Sequence, residues 1–78
     1  MKIGTKFKNN DMTLTVIEFY GEEINNVALL QRESDGMFIS VRELSRDGNT
    51  DNFSWSWGHY FTDKKTAEQD YYNRLAQL

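Results

Sequence analysis

Residues 26–44 read NVALLQRESDGMFISVREL, and the fold turns on how this stretch is paired. The Asp35-Gly36 dipeptide accepts the positive φ that both central residues of a type I′ turn require, so it predicts a two-residue hairpin. The flanking strands are then Asn26–Ser34 and Met37–Leu44. Counting outward pairs Ser34 with Met37, Arg32 with Ile39 and Leu30 with Val41 on one face. Phe38, Leu29, Val27 and Leu44 fall on the other. A hairpin apolar on both faces would expose a patch if it were flat. The pattern therefore predicts a strongly twisted or coiled sheet, up to a partly closed small barrel.

Working toward the N-terminus, Met12–Tyr20 is a second clear strand. Met12, Leu14 and Val16 alternate with Thr13 and Thr15, the period of two of a half-buried strand. The alternation slips at Val16-Ile17, with Ile17 and Phe19 continuing it on the opposite face, which predicts a bulge or a strand covered on both sides. Gly21-Glu22-Glu23 is expected to turn the chain. Thr5–Lys8 forms a short first strand, joined to the second by the turn-tolerant Asn9-Asn10-Asp11.

Toward the C-terminus, Ser45–Asn52 is the longest polar stretch and reads as a flexible loop accessible to a partner. Phe53–Phe61, sequence FSWSWGHYF, alternates again. It places Phe53, Trp55, Trp57, His59 and Phe61 on one face and Ser54, Ser56, Gly58 and Tyr60 on the other. Gly58 implies a bulge or a close backbone approach there, able to re-aim His59 relative to the two tryptophans. Thr62 or Asp63 can cap a helix over roughly 63–77, whose stripe Ala67, Tyr71, Leu75 and Leu78 is the natural lid for the sheet. The fold class is α+β: a twisted antiparallel β-meander of four to five strands, roughly residues 5–61, packed against one C-terminal helix in a single domain spanning 1–78.

Composition narrows the function classes. With 78 residues the chain forms one domain with a thin core, and two Trp, four Tyr and five Phe supply most of what it can bury. It has no cysteine and one histidine, so disulfides and thiolate metal sites are excluded and no metal or cofactor is expected. No apolar run has the length of a signal peptide or a membrane span, which predicts a cytoplasmic protein that does not enter membranes. The net charge is −3. The imbalance lies between residues 9 and 62, where nine carboxylates face only Arg32, Arg42 and Arg46. Nucleic acid is therefore a disfavoured partner.

Each candidate group has a functional and a structural reading. Trp55 and Trp57 suit a stacking platform for single-stranded nucleic acid, aided by Lys2, Lys6 and Lys8, but a continuous basic groove is lacking. Sharing a face with Phe53 and Phe61, at least one of them is expected in the core. A lone His59 among aromatics reads as a packing residue whose ring bonds a backbone group or a side chain, since general-base work needs a second group and a cleft. The carboxylates Glu22-Glu23, Glu33-Asp35 and Asp47-Asp51 read as solvated turns, with a minor alternative as a surface that mimics phosphates. On the helix, Lys64 with Glu68 and Asp70 with Arg74 at spacing four read as a solvated face. No phosphate loop, nucleophile elbow or paired-histidine motif is present, so no catalytic residue is assigned.

The stretch Trp55-Ser56-Trp57-Gly58-His59-Tyr60-Phe61-Thr62-Asp63, followed by Ala67 and Asp70-Tyr71, resembles an ending found in small proteins of low-GC Gram-positive bacteria and their phages. There a W-x-x-GHYF strand leads into a helix. The resemblance covers about the last third of the chain. It implies a β-meander followed by one helix, structural roles for Trp55, Gly58, His59, Tyr60 and Phe61, and a cytoplasmic, often prophage-borne, origin. It carries no activity.

Together these readings predict a non-enzymatic accessory protein that binds a protein partner, with Trp55, Trp57 and His59 and the loop residues Arg46, Asp47 and Asn49 as the candidate contact set. The alternatives are a single-stranded nucleic-acid binder using the aromatic strand and N-terminal lysines, and a small metabolite binder or enzyme around His59. Strand edges also permit a homo-oligomer.

Overall fold

A computed structural model describes residues 1–78. Five strands, β1 (Lys6–Asn9), β2 (Met12–Glu22), β3 (Asn25–Arg32), β4 (Phe38–Arg46) and β5 (Phe53–Phe61), precede a helix, α1 (Lys64–Leu75). Each strand pairs antiparallel with the next, in the order β1-β2-β3-β4-β5. The expected α+β meander is the fold, and its sheet curls into a half-barrel. The curl brings the outer strands together: the Phe7 and Phe53 rings lie 5.1 Å apart, and the Asn9 side-chain amide donates to the Phe53 carbonyl at 2.6 Å.

Curling gives the sheet two buried faces. Inside the half-barrel, Phe7, Leu14, Val16, Ala28, Leu30, Ile39, Val41 and Leu44 form one core, with Met12, Phe19, Phe53 and Trp55 packed against it. On the outer face Val27 and Leu29 meet Ala67 and Tyr71 of α1, with Ile17, Phe38, Phe61 and Leu75 around them. The central strand β3 is covered on both sides. Its Val27-Ala28-Leu29-Leu30 run is wholly buried, which is why apolar residues occupy consecutive positions.

The hairpin turn differs from the expected one. Leu30 pairs with Ile39 and Gln31 with Phe38, so the loop is Glu33-Ser34-Asp35-Gly36, two residues longer than a type I′ turn. Gly36 has positive φ (74°) and Asp35 does not. Instead of adopting a left-handed backbone, Asp35 uses its side chain: the carboxylate takes the Arg32 guanidinium at 2.6 and 3.0 Å and the Met37 N–H at 3.1 Å. Because the slip is by two residues, Leu30, Ile39 and Val41 keep a common face. The other turn is also displaced. Glu22 pairs with Asn25, so the β2–β3 turn is Glu23-Ile24 and Gly21 lies within the strand. There, at φ 115°, a Cβ would overlap the Asn25 carbonyl oxygen, so only glycine fits.

Three bulges account for the remaining differences. The register shifts between Val16 and Glu18, sending Ile17 to the helix side while Phe19 returns to the half-barrel core. In β4 the extra residue is Glu43 (φ 57°), which puts Leu44 inside the half-barrel, not on the face of Val27 and Leu29. In β5 it is Trp57 (φ 56°), so the strand changes face midway. Phe53 and Trp55 point into the half-barrel, whereas Phe61 packs under α1. The five alternating residues of Phe53–Phe61 therefore do not share a face, and the bulge lies one residue before Gly58. Gly58 answers to close approach: a Cβ there would stand 2.9 Å from the Trp55 indole nitrogen.

Helix α1 begins at Asp63, whose carboxylate accepts from the Thr66 N–H at 2.8 Å and hydroxyl at 2.7 Å. Its buried positions are Ala67, Tyr71 and Arg74, with Leu75 partly covered, while Leu78 is exposed beyond the helix end. No helix is long and apolar enough to cross a membrane.

Candidate functional site

The two flipped strands set up a groove beside α1. Arg42 pairs with Ser56 between the bulges at Glu43 and Trp57, and the register on either side of them is the same. The bulges thus restore the register between the two strands, while each reverses the facing of its own strand beyond it. Trp57 emerges on the helix side, next to His59. Across from them Asp70, Asn73 and Arg74 recur on one stripe of α1, and Gln77 follows in the turn after it. These seven residues line an open groove of about 490 Å³.

Its polar network is centred on one carboxylate. Asp70 Oδ2 lies 3.0 Å from His59 Nδ1 and 3.4 Å from Arg74 Nε. A carboxylate only accepts, so His59 Nδ1 donates to Asp70, and Nε2 makes no hydrogen bond to the protein. Arg42 Nε donates to the Asn26 carbonyl at 3.2 Å, which ties that side chain to β3. Arg74 is only 8% exposed, and its Nη1 is buried without a partner. Burial holds the Arg74 guanidinium below its usual value; Asp70 opposes that shift and Arg42 adds to it. The groove therefore holds two guanidinium groups against one shared carboxylate. Above it stands the Trp57 indole, 73% exposed.

The contact set expected from the sequence divides. Trp57 and His59 meet in the groove. Trp55 is packed against the half-barrel core, on the opposite side of the sheet from Trp57. The loop residues lie elsewhere and have local duties. Arg46 stands over the Phe53 ring at 5.4 Å, Asp47 accepts from the Ser54 hydroxyl at 2.6 Å, and Asn49 is an exposed turn residue. The loop itself is shorter than expected, Asp47–Asn52, and is closed by the Asp47 N–H on the Asn52 carbonyl at 2.8 Å. Of the lysines, Lys6 pairs with Glu33 at 3.4 Å.

Arg42, Asp70, Asn73, Arg74 and Gln77 were not foreseen as site residues. The i, i+3, i+4 spacing of Asp70, Asn73 and Arg74 was the available signal, and it reads equally well as a solvated face. Arg42 carried none, since its place depends on the neighbouring bulges. The His59 ring bonds a side chain, as expected, through Asp70, but it is half-exposed and not packed among the aromatics. Ser40 is paired across the ladder from His59. Its hydroxyl, however, is fully buried and makes no hydrogen bond, so it is not linked to the imidazole and no substrate can reach it. No group of three or more His, Cys, Asp or Glu residues is placed to hold a metal ion.

A second concavity, of about 800 Å³, lies at the β2–β3 hairpin tip between Tyr20, Ile24 and Leu78. Its charged residues are Glu22, at the end of β2, and Glu23, in the turn. No protein-family model, curated protein or solved structure matches the chain.

Proposed function

We propose that the chain is a non-enzymatic protein-binding module whose contact site is the Trp57 groove. One observation carries this reading. Trp57 combines a left-handed backbone, which costs an L residue about 1–2 kcal/mol, with an indole left largely in water. The left-handed bulge turns the end of β5 so that Phe61 packs under α1, but the exposed indole does nothing for the isolated fold. An exposed, rigid aromatic above a groove of hydrogen-bonding groups is the usual make-up of an interface anchor.

The same geometry weighs against the nucleic-acid alternative. Trp55 and Trp57 lie on opposite sides of the sheet and so cannot present two bases with one stacking surface, and the chain's net charge of −3 opposes a polyanion. We carry the accessory role, the cytoplasmic setting and the phage or mobile-element origin as part of the same proposal, on the resemblance of Trp55–Asp63.

The test is affinity purification from the native cell with wild-type chain and with Trp57→Gly. A stoichiometric polypeptide retained by the first and lost by the second is expected. Recovery of no such partner, or equal retention by both, would end this reading. Light scattering of the pure chain distinguishes a second copy of itself from a different polypeptide.

A further inference from the structure

Arg42 and Arg74 reach the groove from opposite walls, β4 and α1, and the only carboxylate lining it is Asp70. Asp70 is already divided between His59 and Arg74. Arg74 Nη1 has no partner although it is buried, and Arg42 is held by Nε alone, which leaves its two terminal nitrogens without a protein acceptor. Nη1 is sealed from solvent, so what it leaves beneath the groove is a positive charge without a partner of its own, which an anion in the groove, bonded to Arg42, would offset. Asn73 and Gln77 add amide donors at the rim.

We propose that the groove is a receptor for a carboxylate, supplied by an acidic or C-terminal residue of the polypeptide that Trp57 engages; this inference rests on the protein-binding reading and adds the chemistry of the partner. The charge balance selects the ligand. His59 aside, two guanidinium groups against Asp70 leave one positive charge, which a carboxylate monoanion neutralises and a phosphate dianion overshoots. The fork of an arginine also matches the two oxygens of a carboxylate. The chain's net charge of −3 repels a polyanion more than a single carboxylate. A side chain next to that carboxylate would lie on the Trp57 indole.

The test is a nuclear magnetic resonance titration of the full chain with acetate, acetamide and inorganic phosphate, following the Trp57 indole N–H and the Arg42 and Arg74 Nε–H signals. Acetate should shift these signals saturably, with affinity at least about tenfold above acetamide and not below that of phosphate. Two variants complete the test. Asn73→Asp puts a competing carboxylate at an exposed helix position and should abolish the acetate response. Arg74→Met removes the buried charge while Asp70 keeps its His59 partner, and, in a chain that circular dichroism shows to be folded, should weaken acetate at least about tenfold.

Acetate binding no tighter than acetamide overturns the proposal. So does phosphate binding at least about tenfold tighter than acetate, or an unchanged acetate response in Asn73→Asp. Acetate has no side chain to place on the indole. A failed titration therefore leaves Trp57-dependent capture of a partner standing, and a failed capture leaves the titration interpretable.

Discussion

Trp55 and Trp57 are two residues apart, yet the bulge at Trp57 gives them different physics. Trp55 packs against the half-barrel core, so Trp55→Ala should lower the unfolding free energy by about 3 kcal/mol, as removal of a core aromatic does. Trp57→Gly removes an exposed ring and relieves a left-handed φ, while adding the chain entropy of glycine. Its stability should stay within about 1 kcal/mol of the parent. Urea unfolding of both variants checks this, and a Trp57→Gly loss as large as that of Trp55→Ala would mean the exposed indole is structural after all. Asn26 is the residue whose importance is least visible in the sequence. Fully buried, it bonds both the N–H and the carbonyl of Leu44 at 3.0 Å and donates to the Glu23 carbonyl. Its side chain thus replaces the backbone pairing that the Glu43 bulge interrupts. Asn26→Leu orphans these groups at about 1–3 kcal/mol each, and thermal unfolding should drop by on the order of 15 °C.

At the scale of elements, the β3–β4 hairpin is stabilised by the Asp35 carboxylate. Its value is pulled down to about 2, first by the hydrogen bond from Arg32 and then by that from the Met37 N–H. The folded value lies below the unfolded value of about 4, so the contribution is complete above that pH and is lost as pH falls through about 2. Asp63 at the start of α1 is lowered too, mainly by the Thr66 hydroxyl, and acts with the same sign. Stability measured by urea at stepped pH should therefore fall from about pH 4 downward. Asp35→Asn should flatten that slope, and an Asp35→Asn curve parallel to the parent would contradict the assignment. The helix shows the opposite sign at high pH. Burial first, then Glu18 and Tyr72, raise the Tyr71 phenol, so its contribution is present below its ordinary value of about 10 and is lost as pH rises through the higher folded value.

Across the whole molecule, the half-barrel depends on contacts between the first and last strands. Phe7 against Phe53, with Asn9 bonded to the Phe53 carbonyl, closes the inner core at its open side. Phe7→Ala should cost about 3 kcal/mol and expose the inner core even though β1 has only four residues. β3 has packed layers on both sides and a strand on each edge. Its Val27–Leu30 amides should exchange with solvent most slowly, at the free energy of global unfolding, and those of β1 sooner. Faster exchange in β3 than in β1 would show that the outer strand, not the central one, is the last to open.

Much of this architecture was legible one residue at a time. Alternation in Met12–Val16, the buried run of β3, the glycine and aspartate of the hairpin, and the Asp63 cap all act through neighbours in the chain. They determined an antiparallel meander of four to five strands, one helix and a sheet that could not be flat. Trp57 and His59 were also visible as candidates, because an aromatic and a histidine in a strand stand out by type. The sequence could not determine which residue of each strand would be the extra one. A bulge shifts every following side chain to the other face, and its position depends on what the partner strand, the helix and the core require together. For that reason the tertiary structure alone separated Trp55 from Trp57, turned Leu44 inward, and brought Arg42 from β4 to face Arg74 and Asp70 from α1. The groove is made by compensating bulges on two strands against a helix packed on the outer face of the curled sheet, and no local pattern encodes that meeting.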